Sequence, residues 1–368
     1  MKSRKSTLLG TGSSSFLFSL VVAFATNSHA ATITWDGGPA ATGVDIGTGE
    51  NWAGDVLPSV ATPDTAQWNG SPTGALSLVY SNAVFSGVAG NVGMNLELTA
   101  AQTDSVSIDS GLNIASARIN NITLAAGAGA LTLGNGTDAF NITLGGGAST
   151  QTFTNNATNT ATISSDVVFG LGGGGNHVLN FTGSGDWSVA SNLAFASGGQ
   201  AALYKTGAGT LTLSGGGALK EGPTVHALTG VTAVLKEGAT VINGGTYTNN
   251  ITTNNGEFVV GGLDTVGTNT SLTVNNAAIL NGIDWLSVGK GNGTGATTSN
   301  LTLNNTALIS AANLSLGWNN NNVAATPAGT VTLNDSATLA VTTTSHIAES
   351  AGANFSLKLN GASAATLA

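Results

Sequence analysis

Short strands that alternate apolar and polar residues recur along the chain, and the clearest lies within Leu203–Gly215. This stretch reads LYKTGAGTLTLSG, and its Leu211, Thr212 and Leu213 alternate apolar, polar and apolar. A period of two predicts a strand with one buried face. The glycines on both sides predict positive φ or a close backbone approach. We therefore expect short strands bounded by tight turns, and copies of this unit that stack on one another.

The C-terminal third repeats such a triplet at nearly regular intervals. Equivalent triplets begin at Leu272, Leu301, Val331 and Leu357, which are 29, 30 and 26 residues apart, and each is followed by Asn. A second apolar patch follows each triplet, and a third, such as 286–289, follows the first two. Three short strands per period predict an all-β fold, a right-handed parallel β-helix (β-solenoid). A β-sandwich also has short strands and turns, but it does not need the same triplet to return with the same Asn corner.

The Asn residues after these triplets predict the corners of the solenoid. Asn tolerates the left-handed backbone conformation, and stacked Asn side chains form hydrogen-bonded ladders. Thr, Asn, Gly, Val, Leu and Ala dominate the composition, with 53 Gly, and this mixture favours strands and turns over helices. Disorder is the competing interpretation. A hydrophobic content of 41% and a mean hydropathy of +0.21 argue against it.

Residues 1–30 have the pattern of a secretory signal peptide. Lys2, Arg4 and Lys5 form a basic start, Phe16–Ala25 is an apolar run, and Ala30 is a small residue suited to cleavage. The alternative is an uncleaved N-terminal anchor. After cleavage, no other stretch is apolar enough to span a membrane. The pattern predicts a protein that is secreted or held at the cell surface.

Residues 31–75 differ from the rest and predict an N-terminal cap. They contain Trp35, Trp52 and Trp68 and are rich in Pro, and such a segment can cover the open first coil of a solenoid. The alternative is a platform of exposed Trp rings that stack on sugars. Residues 76–368 are predicted as the β-helical repeat region, with a break near 170–176, where four glycines follow one another. The chain stops directly after a repeat begins, which predicts C-terminal truncation.

Charge and cysteine content narrow the classes of function. The net charge is −9, only 7% of residues are charged, and there is no Cys. An acidic chain poor in Lys and Arg argues against nucleic acid as a partner. The absence of Cys excludes thiolate metal sites and cysteine nucleophiles. Removal of the basic signal peptide makes the mature chain still more acidic.

The sequence offers no catalytic, cofactor or metal-binding constellation, so none is predicted. The 18 acidic residues are scattered, although carboxylates on neighbouring coils can still meet as a glycosidase pair. His177, His226 and His346 are isolated and are interpreted as turn or surface residues.

The stretch from Leu203 to Gly215 resembles the autotransporter-associated β-strand repeat, which reads roughly L-x-K-x-G-x-G-x-L-x-L-x-G. The matching positions are Leu203, Lys205, Gly207, Gly209, Leu211, Leu213 and Gly215. The chain departs from the pattern after Gly217, where the usual second strand is not found. The resemblance implies a right-handed β-helical passenger at a bacterial surface.

These observations predict an exported, non-catalytic structural or adhesive surface protein that meets an extracellular glycan, a matrix or other cells. The oligomeric state is left open. One alternative is a secreted polysaccharide-active β-helix enzyme, either a lyase or a glycoside hydrolase, since the fold alone does not separate the two. Another is a carbohydrate-binding module in which Trp285 and Trp318 contact a glycan. They lie 33 residues apart, near one period, so their rings are expected in one row, and packing in the interior is the alternative.

Overall fold

The computed structural model describes a chain built almost wholly of short parallel strands. The described residues are 30–80, 93–110, 117–136, 140–146, 149–172, 177–194, 201–220, 231–250, 256–261, 269–290, 298–318, 327–348, 350 and 352–368. The predicted signal peptide lies outside them except for its last residue, and so do residues 173–176 of the predicted break.

Twenty-nine strands and one 3-10 turn, Gly49–Asn51, are found in these ranges. The strands are β1 Thr32–Thr34, β2 Thr65–Trp68, β3 Leu76–Tyr80, β4 Met94–Leu98, β5 Val106–Ser110, β6 Ala117–Leu124, β7 Leu131–Leu133, β8 Phe140–Gly146, β9 Ser149–Asn155, β10 Ala161–Ile163, β11 Val167–Gly172, β12 His177–Thr182, β13 Trp187–Val189, β14 Leu193–Ala194, β15 Ala201–Lys205, β16 Thr210–Leu213, β17 Gly217–Lys220, β18 Val231–Leu235, β19 Gly238–Asn243, β20 Thr246–Asn250, β21 Glu257–Val260, β22 Asn269–Asn275, β23 Ile279–Val288, β24 Thr298–Leu303, β25 Leu308–Leu316, β26 Ala328–Leu333, β27 Thr338–Ile347, β28 Asn354–Leu359 and β29 Ala364–Thr366.

The strands stack in parallel as a β-solenoid, which confirms the predicted architecture. One sheet of 11 strands, called sheet 1, runs along the solenoid and contains β3, β5, β7, β10, β13, β16, β19, β22, β24, β26 and β28. In its register Leu272 lies beside Leu301, Leu301 beside Val331, and Val331 beside Leu357. Each turn of the solenoid, or rung, therefore places the predicted triplet directly on the previous one. Sheet 1 is continuous past residues 170–176, because β10 pairs with β13.

The other 18 strands form sheet 2, which covers the remaining faces of the solenoid. Its long strand β23 pairs with β20 through 279–281 and with β21 through 285–288, and the register shifts between Leu280 and Ile283. Gly282 at this point has a φ of 69°, a conformation that favours glycine. The second and third apolar patches of this rung, expected as separate strands, are thus one strand that bends around a corner.

A dry apolar column fills the interior between the sheets. Inward residues such as Leu301 and Leu303 are fully buried, and the outward Thr302 between them is half-buried. Larger rings fill the middle of the column, where Phe153, Phe181 and Trp187 pack with centroids 5.4–5.8 Å apart. Leu357 and Leu359 of β28, which lies at one end of sheet 1, are exposed.

The Asn corners divide two tasks between neighbouring residues. The first Asn of each corner builds a ladder, since Asn304 Nδ2 donates to Asn275 Oδ1 at 2.8 Å and Asn304 Oδ1 accepts from Asn334 Nδ2 at 2.7 Å. The following residue, such as Asn276 or Asn305, takes the left-handed backbone with φ near 60°. Both features predicted for the corners are therefore confirmed.

Residues 31–75 pack onto the first rungs rather than standing apart. Trp35, Trp52 and Trp68 are fully buried, and their rings meet edge to face at 5.1 and 5.7 Å. The segment between Trp35 and Trp52 also reaches sheet 1, since Ile46 N donates to Val79 O at 2.9 Å. The alternative of an exposed Trp platform for sugars is wrong, because burial removes these rings from any ligand. That this segment acts as a cap stays a prediction.

Candidate functional site

The Lys of the repeat-like stretch is a structural residue. Lys205 ends β15 and is 2% exposed, and its Nζ donates to the backbone oxygens of Thr206, Gly207 and Glu237 at 3.1, 2.5 and 3.1 Å. Burial lowers the pKa of its ammonium to about 8, while the carboxylates of Glu237 and Asp186 act in the opposite direction. Because Glu237 belongs to the next rung, Lys205 ties two rungs together at a corner.

The glycines of the same stretch are required by close approach between rungs. A Cβ on Gly209 would lie 2.0 Å from the backbone oxygen of Gly185, and one on Gly215 would lie 2.1 Å from that of Ser191. Gly207 also has a φ of 76°. Leu203, Leu211 and Leu213 are buried and line the interior. The whole stretch therefore contributes to the stacking of one rung on the next.

A pocket of about 270 Å³ on the outer face of sheet 2 is the clearest candidate for a binding site. It is lined by Glu257, Trp285, Ser287, Lys290, Ser315 and Trp318. Its strand residues lie at outward positions of β21, β23 and β25, whereas Leu286 and Leu314 fill the interior. Lys290 and Trp318 lie just beyond the ends of β23 and β25. The candidate glycan contacts Trp285 and Trp318 thus lie in one pocket, called the tryptophan pocket below.

The 33-residue separation of Trp285 and Trp318 did not predict how the two rings reach this pocket. The register places Trp285 beside Asn313, so the expected single row of stacked rings is wrong. Trp318 instead follows Gly317, just as Lys290 follows Gly289 one rung earlier, and both glycines have φ near 75°. Both rings are half-buried, so packing in the interior is also wrong.

An ion pair forms the floor of the tryptophan pocket. Lys290 Nζ lies 2.5 Å from Glu257 Oε1 and 2.6 Å from Oε2, and the hydroxyl of Ser287 also donates to Oε1. Both charged residues are more than nine-tenths buried. Lys290 Nζ also lies 4.5 Å from the centroid of the Trp318 ring, a cation–π contact. The floor is therefore polar and close to neutral, beside aromatic walls.

A second carboxylate lies next to this pair. Asp284 precedes Trp285, and its Oδ1 accepts from Asn313 Nδ2 at 3.1 Å. Burial raises the pKa of the Asp284 carboxyl, the hydrogen bond from Asn313 opposes this, and the charge of Glu257 raises it further. Two carboxylates on adjacent rungs therefore do come near one another. Each is held by a partner, however, Glu257 by Lys290 and Asp284 by Asn313.

The histidines are placed differently from one another. His177, expected at a turn or on the surface, is fully buried at the start of β12, and that expectation is wrong. Burial lowers the pKa of its imidazole, and within the described residues neither ring nitrogen has a hydrogen-bond partner. His346 packs edge to face on Trp285 at 5.8 Å, and His226 lies outside the described residues.

A second candidate surface is the outer face of sheet 1. Its central outward positions carry hydroxyl side chains in register on nine of the 11 strands, and the other two positions are Val241 and, on β28, Lys358. We call these nine the hydroxyl column: Ser77, Ser107, Thr132, Thr162, Ser188, Thr212, Thr273, Thr302 and Thr332. Neighbouring members are about 4.8 Å apart, the spacing of paired strands. The Asn ladder runs beside the last three of them.

No cluster of three or more His, Asp or Glu in the part of the chain that the structure describes has the geometry to hold a metal ion. Within the same residues no helix has the length and apolar character needed to cross a membrane. No family model, curated protein or solved structure matches this chain.

Proposed function

We propose that this chain is an exported, non-catalytic structural or adhesive protein of the bacterial cell surface. The observation that carries the proposal is the outer face of sheet 1, where the hydroxyl column and the Asn ladder repeat uncharged hydrogen-bonding groups on successive rungs. Such a face suits many weak contacts with a hydroxyl-rich matrix or glycan. Repetition gives avidity without any single deep site.

The resemblance of Leu203–Gly215 to the autotransporter-associated repeat supports the same proposal. Lys205 and the glycines around it serve to join one rung to the next, which is the task expected in a long extracellular passenger. The basic and apolar pattern of residues 1–30 supports export. The rival role, a polysaccharide-degrading enzyme, would use carboxylates such as Glu257 and Asp284, and both are engaged by neighbouring side chains.

The test has two parts. Antibodies against residues 31–368 are expected to label intact bacterial cells, and beads coated with the protein are expected to adhere to films of polysaccharide. Thr302→Glu, which places a charge in the hydroxyl column, should weaken adherence several-fold. The control Thr338→Glu, at a half-buried position of sheet 2, should leave it unchanged.

Two results would overturn the proposal. One is retention of the protein inside the cell. The other is release of reducing ends or of unsaturated sugar products from those polysaccharides, abolished by Glu257→Gln or Asp284→Asn, which would assign the chain to the enzymes.

A further inference from the structure

We propose that the tryptophan pocket binds neutral hexopyranose rings of an extracellular polysaccharide. This inference rests on the proposed function, because it names the ligand of an adhesive surface. It has its own basis, however, in the two half-buried rings and the buried ion pair that line one cavity. It concerns sheet 2, whereas the hydroxyl column lies on sheet 1.

The walls of the pocket suit the apolar side of a sugar. A pyranose ring presents C–H groups on its faces and hydroxyl groups at its edge, so it combines well with an aromatic ring and a polar rim. Trp285 and Trp318 supply large aromatic surfaces that are open to the pocket. The other four Trp residues, in contrast, are at most 2% exposed. Of the six Trp residues, Trp285 and Trp318 are therefore the two whose rings remain accessible.

The floor of the pocket suits the hydroxyl edge of a sugar. The Lys290 ammonium has three N–H groups, and two of them are directed at Glu257. The same ammonium also lies 4.5 Å from the centroid of the Trp318 ring, so the charged floor and one aromatic wall of the pocket are in direct contact. The carboxylate of Glu257 and the hydroxyls of Ser287 and Ser315 add further polar groups within the same cavity.

Charge and size select among sugars. Glu257 and Lys290 neutralise one another, and the adjacent Asp284 adds negative charge, so a uronate or sulfated sugar would be repelled. A volume of about 270 Å³ lies just below the range of about 300–1,000 Å³ that is usual for small-molecule pockets. The pocket therefore fits one or two neutral rings of a chain that continues along the surface.

The fluorescence of the protein provides a direct assay. Acrylamide should quench Trp285 and Trp318 while the four buried Trp residues stay protected. We expect at least one of three neutral probes, cello-, laminari- or manno-oligosaccharides, to protect these two rings in a saturable manner. Oligogalacturonate at the same concentration should not protect them.

Variants separate binding from folding. Trp285→Ala and Trp318→Ala should each weaken the oligosaccharide at least tenfold, and Trp285→Phe, which keeps a smaller ring, should weaken it less. Thr344→Ala is the matched control, because Thr344 lies one rung beyond Asn313 in the column of Trp285 but does not line the pocket. The far-ultraviolet circular dichroism spectrum should be the same for all four variants. If Trp285→Ala or Trp318→Ala fails this check, the Trp→Phe variant at the same position replaces it.

Three results would overturn the inference: no neutral probe protects the rings, oligogalacturonate binds more tightly, or both Trp→Ala variants bind as the wild type does. Its failure is distinguishable from failure of the proposed function. If bead adherence persists in the Trp285→Ala and Trp318→Ala variants, the pocket is not the adhesive site and the surface role stands. If the oligosaccharide binds but antibodies find the protein inside the cell, the pocket stands and the surface role fails.

Discussion

Replacing Leu303 tests the stacked interior on which every surface of this molecule depends. Leu303 is fully buried, with Val274 beside it on one rung and Leu333 on the next. Truncation of a buried Leu to Ala costs about 2.7–5 kcal/mol, through lost apolar burial and the cavity left behind. Leu303→Asp should cost more, because it buries a charge without a partner. The adjacent Thr302 faces outward, so Thr302→Ala should change stability by less than about 0.5 kcal/mol.

The measurement must detect a local change in a repetitive structure. Long repeat arrays can unfold in parts, so a single midpoint does not describe them fully. Urea unfolding followed by circular dichroism should therefore be combined with amide hydrogen exchange of β24 and of its neighbours β22 and β26. Leu303→Ala should accelerate exchange in these three strands, and Thr302→Ala should not. Equal effects of the two substitutions would refute the assigned alternation of inward and outward residues.

Two further changes test the corners and a buried titratable group. Asn304→Ala removes two ladder hydrogen bonds and should lower the free energy of unfolding by about 1–3 kcal/mol in urea titrations. Asn304→Asp keeps only the acceptor, so its effect should be intermediate. An unchanged urea midpoint for Asn304→Ala would mean that the ladder adds nothing to stability. Because the pKa of His177 is lowered in the folded state, the unfolded chain binds a proton at this imidazole first as the pH falls. Stability should therefore fall below about pH 6.5, by at most about 1.4 kcal/mol per pH unit. The variant His177→Phe should remove this part of the slope. An identical slope in the variant would assign the acid sensitivity to other groups.

The regular rungs could be predicted because their local signals and their tertiary contacts agree. The triplets at Leu272 and Leu301 have the period of a strand, and the Asn pairs after them have the conformation that a corner needs. Stacking of like on like then fixes the register without any further information. Where a rung departs from the pattern, prediction from the triplet fails. Thr240, for example, takes the interior place between Leu211 and Leu272, which no triplet signal indicates.

The joined strand β23 shows a different reason for failure. Two apolar patches separated by Asn281 and Gly282 look like two strands with a turn between them. In the structure the pairing with β20 passes directly into the pairing with β21, because Gly282 allows the chain to bend while it stays hydrogen-bonded. A pattern of apolar residues gives the faces of a rung, but it does not tell a bend from a break.

The tryptophan pocket depends on contacts between rungs that are not equivalent in sequence. Trp285 and Trp318 were found from their chemistry, but their separation of 33 residues suggested the wrong geometry. Better guidance lay in the repeated glycine corners, since Lys290 and Trp318 both directly follow such a glycine and their side chains meet as a cation–π pair. Glu257 gives no such signal, because its partner Lys290 lies 33 residues away and the pair forms only once the register is set. In a solenoid the repeated residues thus determine the fold, and the residues that interrupt the repeat make one rung chemically different from the next.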